Sequence, residues 1–154
     1  MQVNWRWIHA ARNTYAVLSA ACGRDGFSLK PVDTPADDVT CYSLNSIHAA
    51  EYRDEIALAD CLTIAGGPHA TACPREVAGY ADYVVVGEGE YTLPRLLENL
   101  YNGGDGASSP KRHQERRGRN LVRIASQTLN VERRTLNGNQ GSMESCQPSL
   151  YVRH

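Results

Sequence analysis

The 154-residue chain has no CxxC and no CxxxCxxC spacing among its five cysteines, Cys22, Cys41, Cys61, Cys73 and Cys146. The first absence excludes a zinc ribbon and a disulfide scaffold; the second excludes an iron–sulfur cluster held within this chain. An odd cysteine count and no N-terminal signal segment set the expectation of a reducing, cytoplasmic compartment. No apolar run approaches the roughly 18 residues of a membrane span, so no membrane partner is expected. No GxxxxGK[ST] phosphate loop and no GxSxG nucleophile elbow is present. Gly87-Glu88-Gly89 lacks the third glycine of a dinucleotide fingerprint and follows a late strand.

Charge is absent only on average. The formal net charge is −1, yet from Ala107 onward nine Lys or Arg stand against three Glu, and before it seven basic residues stand against 14 acidic ones. So sharp a break divides the chain into residues 1–104 and a basic tail, 105–154. The tail is rich in Arg, Asn, Gln, Ser and Gly, and its short apolar pieces, Leu121 to Ala125 and Leu129 to Val131, build no sustained face. It is expected to be poorly ordered. Lys111, Arg112, Arg116, Arg117, Arg119 and Arg123 form a positive stretch, but no aromatic residue interleaves it before Tyr151, so nucleic acid is not an expected partner.

The first two-thirds alternate strands with helices. Val3 to Ile8, Phe27 to Val32, Val39 to Leu44, Leu62 to Ala65 and Tyr83 to Val86 read as strands. Ala11, Tyr15, Leu18 and Cys22 fall on one helical face, with Gly23 as a stop. Asn45-Ser46 caps a helix over residues 47–59, a further helix covers 70–79, and Leu93, Leu96, Leu97, Leu100 and Tyr101 mark a last helix with Thr92 as N-cap. Continuous apolar strands between helices predict an α/β domain with a parallel sheet of about five strands, covered on both faces. Asp33 to Asp38 is too short for a crossover helix, so either an extended connection returns the chain or the second strand pairs differently. Cys41 and Cys61 sit in apolar runs and are expected as core thiols.

In open parallel sheets ligands bind beyond the carboxyl ends of the strands. Three loops fall there: Ser43-Leu44-Asn45-Ser46, Gly66-Gly67-Pro68-His69 and Gly87-Glu88-Gly89-Glu90. Paired glycines expose bare backbone to a ligand, or simply make tight strand-to-helix turns. Glu88 and Glu90 read as an acid/base pair or as carboxylates favouring a helix start.

Two of these loops carry a family resemblance. Thr63-Ile64-Ala65-Gly66-Gly67-Pro68-His69-Ala70-Thr71, then Ala81-Asp82-Tyr83-Val84-Val85-Val86-Gly87-Glu88-Gly89-Glu90, resemble the N-terminal domain of cobalamin-dependent radical S-adenosylmethionine (SAM) enzymes, in which a GGPHAT loop and a DYVVxGEGE strand-loop recur in this order. The resemblance spans about residues 1–104. It implies a flavodoxin-like (Rossmann-like) sheet with the corrin or its nucleotide tail against the strand ends, and the twelve residues of the three loops as the cofactor surface. In the intact family cobalamin typically carries a methyl group for transfer, beside a 4Fe-4S cluster and SAM.

The chain departs from the family's broader DxHxxG pattern, because Trp7 and Arg12 stand where Asp and Gly would flank His9. His9 is the candidate cobalt ligand, but it lacks the carboxylate that usually orients such a His. His69 is expected either to contact the ligand or to stabilise its turn. Together these features predict a cobalamin-binding module whose partner is a radical SAM catalytic domain, with the tail as a truncated or out-of-frame continuation. A corrinoid-free interaction domain and a small nucleotide-binding α/β protein are the alternatives.

Overall fold

The computed structural model describes residues 1–36 and 38–102, and the backbone of strand residues 120–125 and 128–133. Strands β1 (Val3–Arg6), β2 (Leu29–Val32), β3 (Val39–Ser43), β4 (Leu62–Gly66) and β5 (Tyr83–Val86) form a sheet in the order β2-β1-β3-β4-β5, with every pairing among them parallel. This is the flavodoxin-like arrangement, and its order reverses direction between β1 and β3.

Alternation along the strands builds two buried faces. Val3, Trp5, Cys41, Ile64 and Val85 share one face by register. Helices α1 (Arg12–Arg24) and α5 (Gly89–Asn102) pack against each other on that side, through Leu18, Cys22, Leu93, Leu96 and Leu97. On the other face Tyr42, Thr63, Ala65 and Val84 lie under α2 (Ala49–Leu58), α3 (Pro68–Ala72) and α4 (Pro74–Val77). Leu96 and Leu97 are 1% and 0% exposed; burial of each contributes about 2 kcal/mol. Cys22, Cys41 and Cys61 are all buried core thiols, as expected for the last two.

The return between β2 and β3 holds no helix among its described residues, 33–36 and 38. It lies on the sheet: the Asn4 side chain donates to Ala36 O (2.6 Å), and Thr40 Oγ1 both donates to Ala36 O (3.1 Å) and accepts from Ala36 N–H (3.2 Å). Fully extended, such a segment reaches about 25 Å, enough to descend one strand length and cross two strand spacings.

Several boundaries differ from expectation for identifiable reasons. The helix expected over 70–79 is two short helices broken at Cys73 (φ −124°, ψ 56°), because Pro74 disfavours α-helical geometry in the residue before it. Helix α5 begins at Gly89, so Thr92 is not its N-cap; Thr92 Oγ1 instead donates back to Glu88 O at 2.8 Å. Helix α1 runs through Gly23, and Gly26, at φ +83°, is the glycine in left-handed geometry beyond its end. Helix α2 begins at Ala49 with His48 at its N-cap and no side-chain capping bond, so Asn45-Ser46 does not cap it; Asn45 Oδ1 instead accepts from the Ile47 and His48 N–H groups (3.1 and 2.9 Å) in the turn before the helix.

Two of the tail's apolar pieces are strands. β6 (Asn120–Ala125) pairs parallel with β5, and β7 (Thr128–Arg133) antiparallel with β6, extending the sheet to seven strands. A short segment with no face of its own takes its register from an existing sheet edge, which composition does not reveal. The expectations for the rest of the tail, and the boundary at residue 104, lie outside the described residues. Among the described residues no helix is long and apolar enough to cross a membrane.

Candidate functional site

The three loops at the carboxyl ends of β3, β4 and β5 are fastened to one another by backbone bonds. Leu44 N–H donates to Gly66 O (2.8 Å), and His69 N–H donates to Leu44 O (3.0 Å). Gly67 sits at φ +96°, ψ −176°, and a Cβ there would lie 2.7 Å from Leu44 O and 2.9 Å from Leu44 N. Its bareness is therefore taken up by the neighbouring loop. The Gly87 N–H donates to Thr71 Oγ1 at 3.1 Å, which staples the third loop to the second. A Cβ on Gly89 would stand 3.0 Å from Leu18 Cδ2, so this glycine lets the start of α5 close on α1.

Between these loops and α1 lies a cleft of about 650 Å³. Trp5, Cys41, Ile64 and Val85 form its floor, from four neighbouring strands on one sheet face. Asn13, Thr14, Val17 and Leu18 of α1 and Leu93 of α5 form its walls. The rim is Ser43, Gly66, Gly67, Pro68, Thr71, Ala72, Gly87, Glu88, Gly89 and Glu90. Two carboxylates line it, with no Lys, Arg or His.

The chemistry of the floor is that of a binding surface. Burial, reinforced by neighbouring Cys22 and Cys61, pushes the Cys41 thiol far above its ordinary range. Burial likewise pushes Cys22 up to about 11, so neither thiol is a nucleophile near neutral pH. Trp5 is 1% exposed, its ring packs against Tyr15 (centroids 5.9 Å apart), and its buried indole N–H has no hydrogen-bond partner. On the opposite face Arg6 Nε and Nη2 hold the Glu55 carboxylate at 2.8 and 3.1 Å, and burial followed by Glu55 pushes the Tyr42 hydroxyl upward.

Eight of the twelve loop residues expected at a cofactor surface line this cleft: Ser43, Gly66, Gly67, Pro68, Gly87, Glu88, Gly89 and Glu90. The other four do not. Leu44 is fully buried, Asn45 serves its turn, and Ser46 is exposed. His69 is buried against α4, its Nε2 without a hydrogen bond and 3.6 Å from Glu76 Oε1. His9 lies exposed in the turn of 3-10 helix at His9–Ala11 and contributes nothing to the lining. Among the described residues no three His, Cys, Asp or Glu side chains cluster as metal ligands.

The sequence reading missed the α1 wall and Trp5. Asn13 and Val17, like Thr14 and Leu18, stand four apart, so the helix that supplied a core stripe also supplied the cleft's side. Trp5 betrayed itself only as a large aromatic in a strand flanked by Asn4 and Arg6.

Fold and cleft together define a flavodoxin-like α/β domain with an open cleft at the carboxyl edge of its sheet. The chain is 33% identical over 87 residues to the hopanoid C-3 methylase of Methylococcus capsulatus, a match covering 50% of this chain and 17% of that relative. The chain thus spans less than a fifth of the length of the curated relative it matches. The match is a distant link to the cobalamin-dependent radical SAM family that the two loop motifs resemble. No protein-family model matches the chain.

Proposed function

We propose that this domain is a cobalamin-binding module of a longer radical SAM protein. The observation that carries the reading is the convergence of eight of the twelve expected loop residues, seven of them from the two resemblance motifs, on one cleft at the carboxyl edge of a flavodoxin-like sheet, beside its switch point. The named activity of the distant relative, a methylase, agrees with it.

The residues present suit this group in a particular way. A cleft of about 650 Å³ is too narrow for a corrin macrocycle but has the size of an ordinary small-ligand pocket. Its apolar floor and walls suit the heterocyclic base of the nucleotide tail. The residues that would hold the rest of the group are those of the rim, where Ser43, the Thr71 hydroxyl and the loop backbone would offer hydrogen bonds to corrin amides. When bound, cobalamin supplies a cobalt centre able to carry a methyl group. This chain's residues position it: Gly67 holds the second loop against Leu44, Thr71 holds the third, and Leu18 with Leu93 excludes water from the base. No described His lines the cleft, so the residues that would hold the group include no imidazole. With no CxxxCxxC in the chain, iron–sulfur and SAM chemistry belongs to a partner domain.

The rim argues against the nucleotide-binding alternative. A free di- or triphosphate would face Glu88 and Glu90 with no lining cation to offset its charge. The test is direct. The protein is incubated with hydroxocobalamin, desalted, and its visible spectrum recorded, with a nucleoside triphosphate in a parallel thermal-shift measurement. A retained corrinoid band at near-stoichiometric level is the expected result. Loss of all corrinoid from folded protein, or stabilisation by the nucleotide alone, would overturn the proposal.

A further inference from the structure

Strand β2 is an edge of the sheet and pairs with β1 on its inner side. An edge strand turns unpaired N–H and C=O groups outward and so offers a template to another chain. Which groups these are follows from one hydrogen bond. Trp7 N–H donates to Val32 O at 2.8 Å, so the backbone groups of Val32, and by alternation those of Lys30, face β1. Leu29 and Pro31 face outward, and each lacks one of its two groups. Pro31 has no N–H, and its outward placement means that the ring costs the sheet no hydrogen bond. The Leu29 carbonyl accepts from the Tyr15 hydroxyl of α1 at 3.2 Å. Trp5 and Trp7 pack on the Tyr15 ring, with centroids 5.9 and 5.5 Å away, and hold that hydroxyl in place. Lys30, between the two outward residues, is exposed.

These three features act on one register. Two copies of β2 meeting edge to edge about a twofold axis run antiparallel. The register that pairs both outward residues sets Leu29 opposite residue 31 of the second copy, with the axis at Lys30. There the bond from residue 31 N–H to Leu29 O has no donor and an acceptor already taken, twice over by symmetry. The two Lys30 charges lie directly opposite one another, which is unfavourable. We infer that the free edge of β2 is an interaction surface kept shut by Pro31, Lys30 and the Tyr15 hydroxyl, and that the partner they exclude is the same edge of a second copy of this chain. None of the β2 residues lines the cleft, so the inference holds whatever ligand the cleft takes.

Sedimentation velocity over a concentration series of the full chain tests this. Wild type and Tyr15→Phe are expected to behave alike, because freeing the Leu29 carbonyl supplies no donor. Pro31→Val combined with Tyr15→Phe restores both ends of the bond in both copies. At about tenfold for each of the two bonds, ~1.4 kcal/mol apiece, its dimer Kd is expected about a hundredfold below that of wild type. Adding Lys30→Thr lowers it further. In that dimer the new amide at position 31 must be protected from hydrogen exchange. A double variant that associates no more than wild type, or that dimerises with this amide unprotected, overturns the inference. So does wild-type protein whose Leu29 amide becomes protected as its concentration rises. Pro35→Val removes a proline outside the strand and is expected to change nothing; association equal to the double variant's would count against β2. Circular dichroism reports folding. Should Pro31→Val not fold, Pro31→Ala restores the same N–H and carries the same expectations.

Discussion

Alanine at Gly67 and at Gly87 separates two reasons for a glycine. Both residues have positive φ, +96° and +88°. Alanine therefore imposes backbone strain of about 1–3 kcal/mol at Gly67, whose extended ψ puts it in a region open almost only to glycine, and a similar or smaller cost at Gly87. Only at Gly67 does the added Cβ also collide, standing 2.7 Å from Leu44 O, 2.9 Å from Leu44 N and 3.0 Å from Ser43 Oγ, whereas at Gly87 it meets nothing within 4 Å. Two of those three atoms are backbone, and the Leu44 amide and carbonyl are already committed to Gly66 and His69. Relief requires the loop after β3 to move, at roughly 1–3 kcal/mol more. Gly67→Ala is thus expected to lose about 3–5 kcal/mol and Gly87→Ala about 1–2 kcal/mol, read as the shift of the urea midpoint at constant m-value. Against a total stability of about 5–15 kcal/mol, the first change threatens the fold and the second does not. Equal losses at the two sites would refute the argument that Gly67 serves close loop packing.

Two further outcomes follow from the geometry. Thr71→Val removes the acceptor of the Gly87 amide on an exposed side chain, so corrinoid binding should weaken several-fold while the thermal midpoint moves little; an unchanged Kd would show that the staple does not order the third loop. The raised thiol of Cys22 makes stability alkali-sensitive. Its folded pKa, about 11, exceeds the ordinary 9.0, so its contribution is complete below pH 9 and declines as pH rises toward 11. Unfolding measured at pH 7.5 and 10.5 should show Cys22→Ala losing less stability than wild type over that interval, and equal losses would contradict the assignment.

The parallel sheet was legible because its strands are short apolar runs closed by glycine or polar turns, Tyr83 to Val86 most clearly. The cleft's rim was legible because Gly66-Gly67-Pro68 and Gly87-Glu88-Gly89-Glu90 end strands. What the residues could not show was the reason for each glycine. Gly67 packs against Leu44, Gly89 against Leu18, and Gly87 relieves only its own backbone, three purposes that read alike as one letter. His69 was ambiguous for a similar reason: its loop points to the cleft edge, but the first turn of α3 carries its ring beneath α4. The walls went unread because a helix facing both a core and a cavity shows one continuous stripe. The strand β6 went unread because its partner β5 lies more than thirty residues upstream, and β7 went with it because its only pairing is with β6.

The helix-free segment at residues 33–36 leaves a trace in the strands beside it. Asn4 and Thr40 are register partners on adjacent parallel strands, and both are fully buried, where a covering helix would call for Val or Ile. They are polar because what covers them is main chain, which presents carbonyls and amides rather than methyl groups. A helix engineered into this connection would take Ala36 away from both, leaving the Asn4 amide N–H without its partner and Thr40 with only the Cys61 thiol (3.3 Å), so lengthening the crossover calls for changes in the sheet beneath it. A buried Asn beside a buried Thr on neighbouring parallel strands can thus be read, in other chains, as the imprint of a crossover that has no helix.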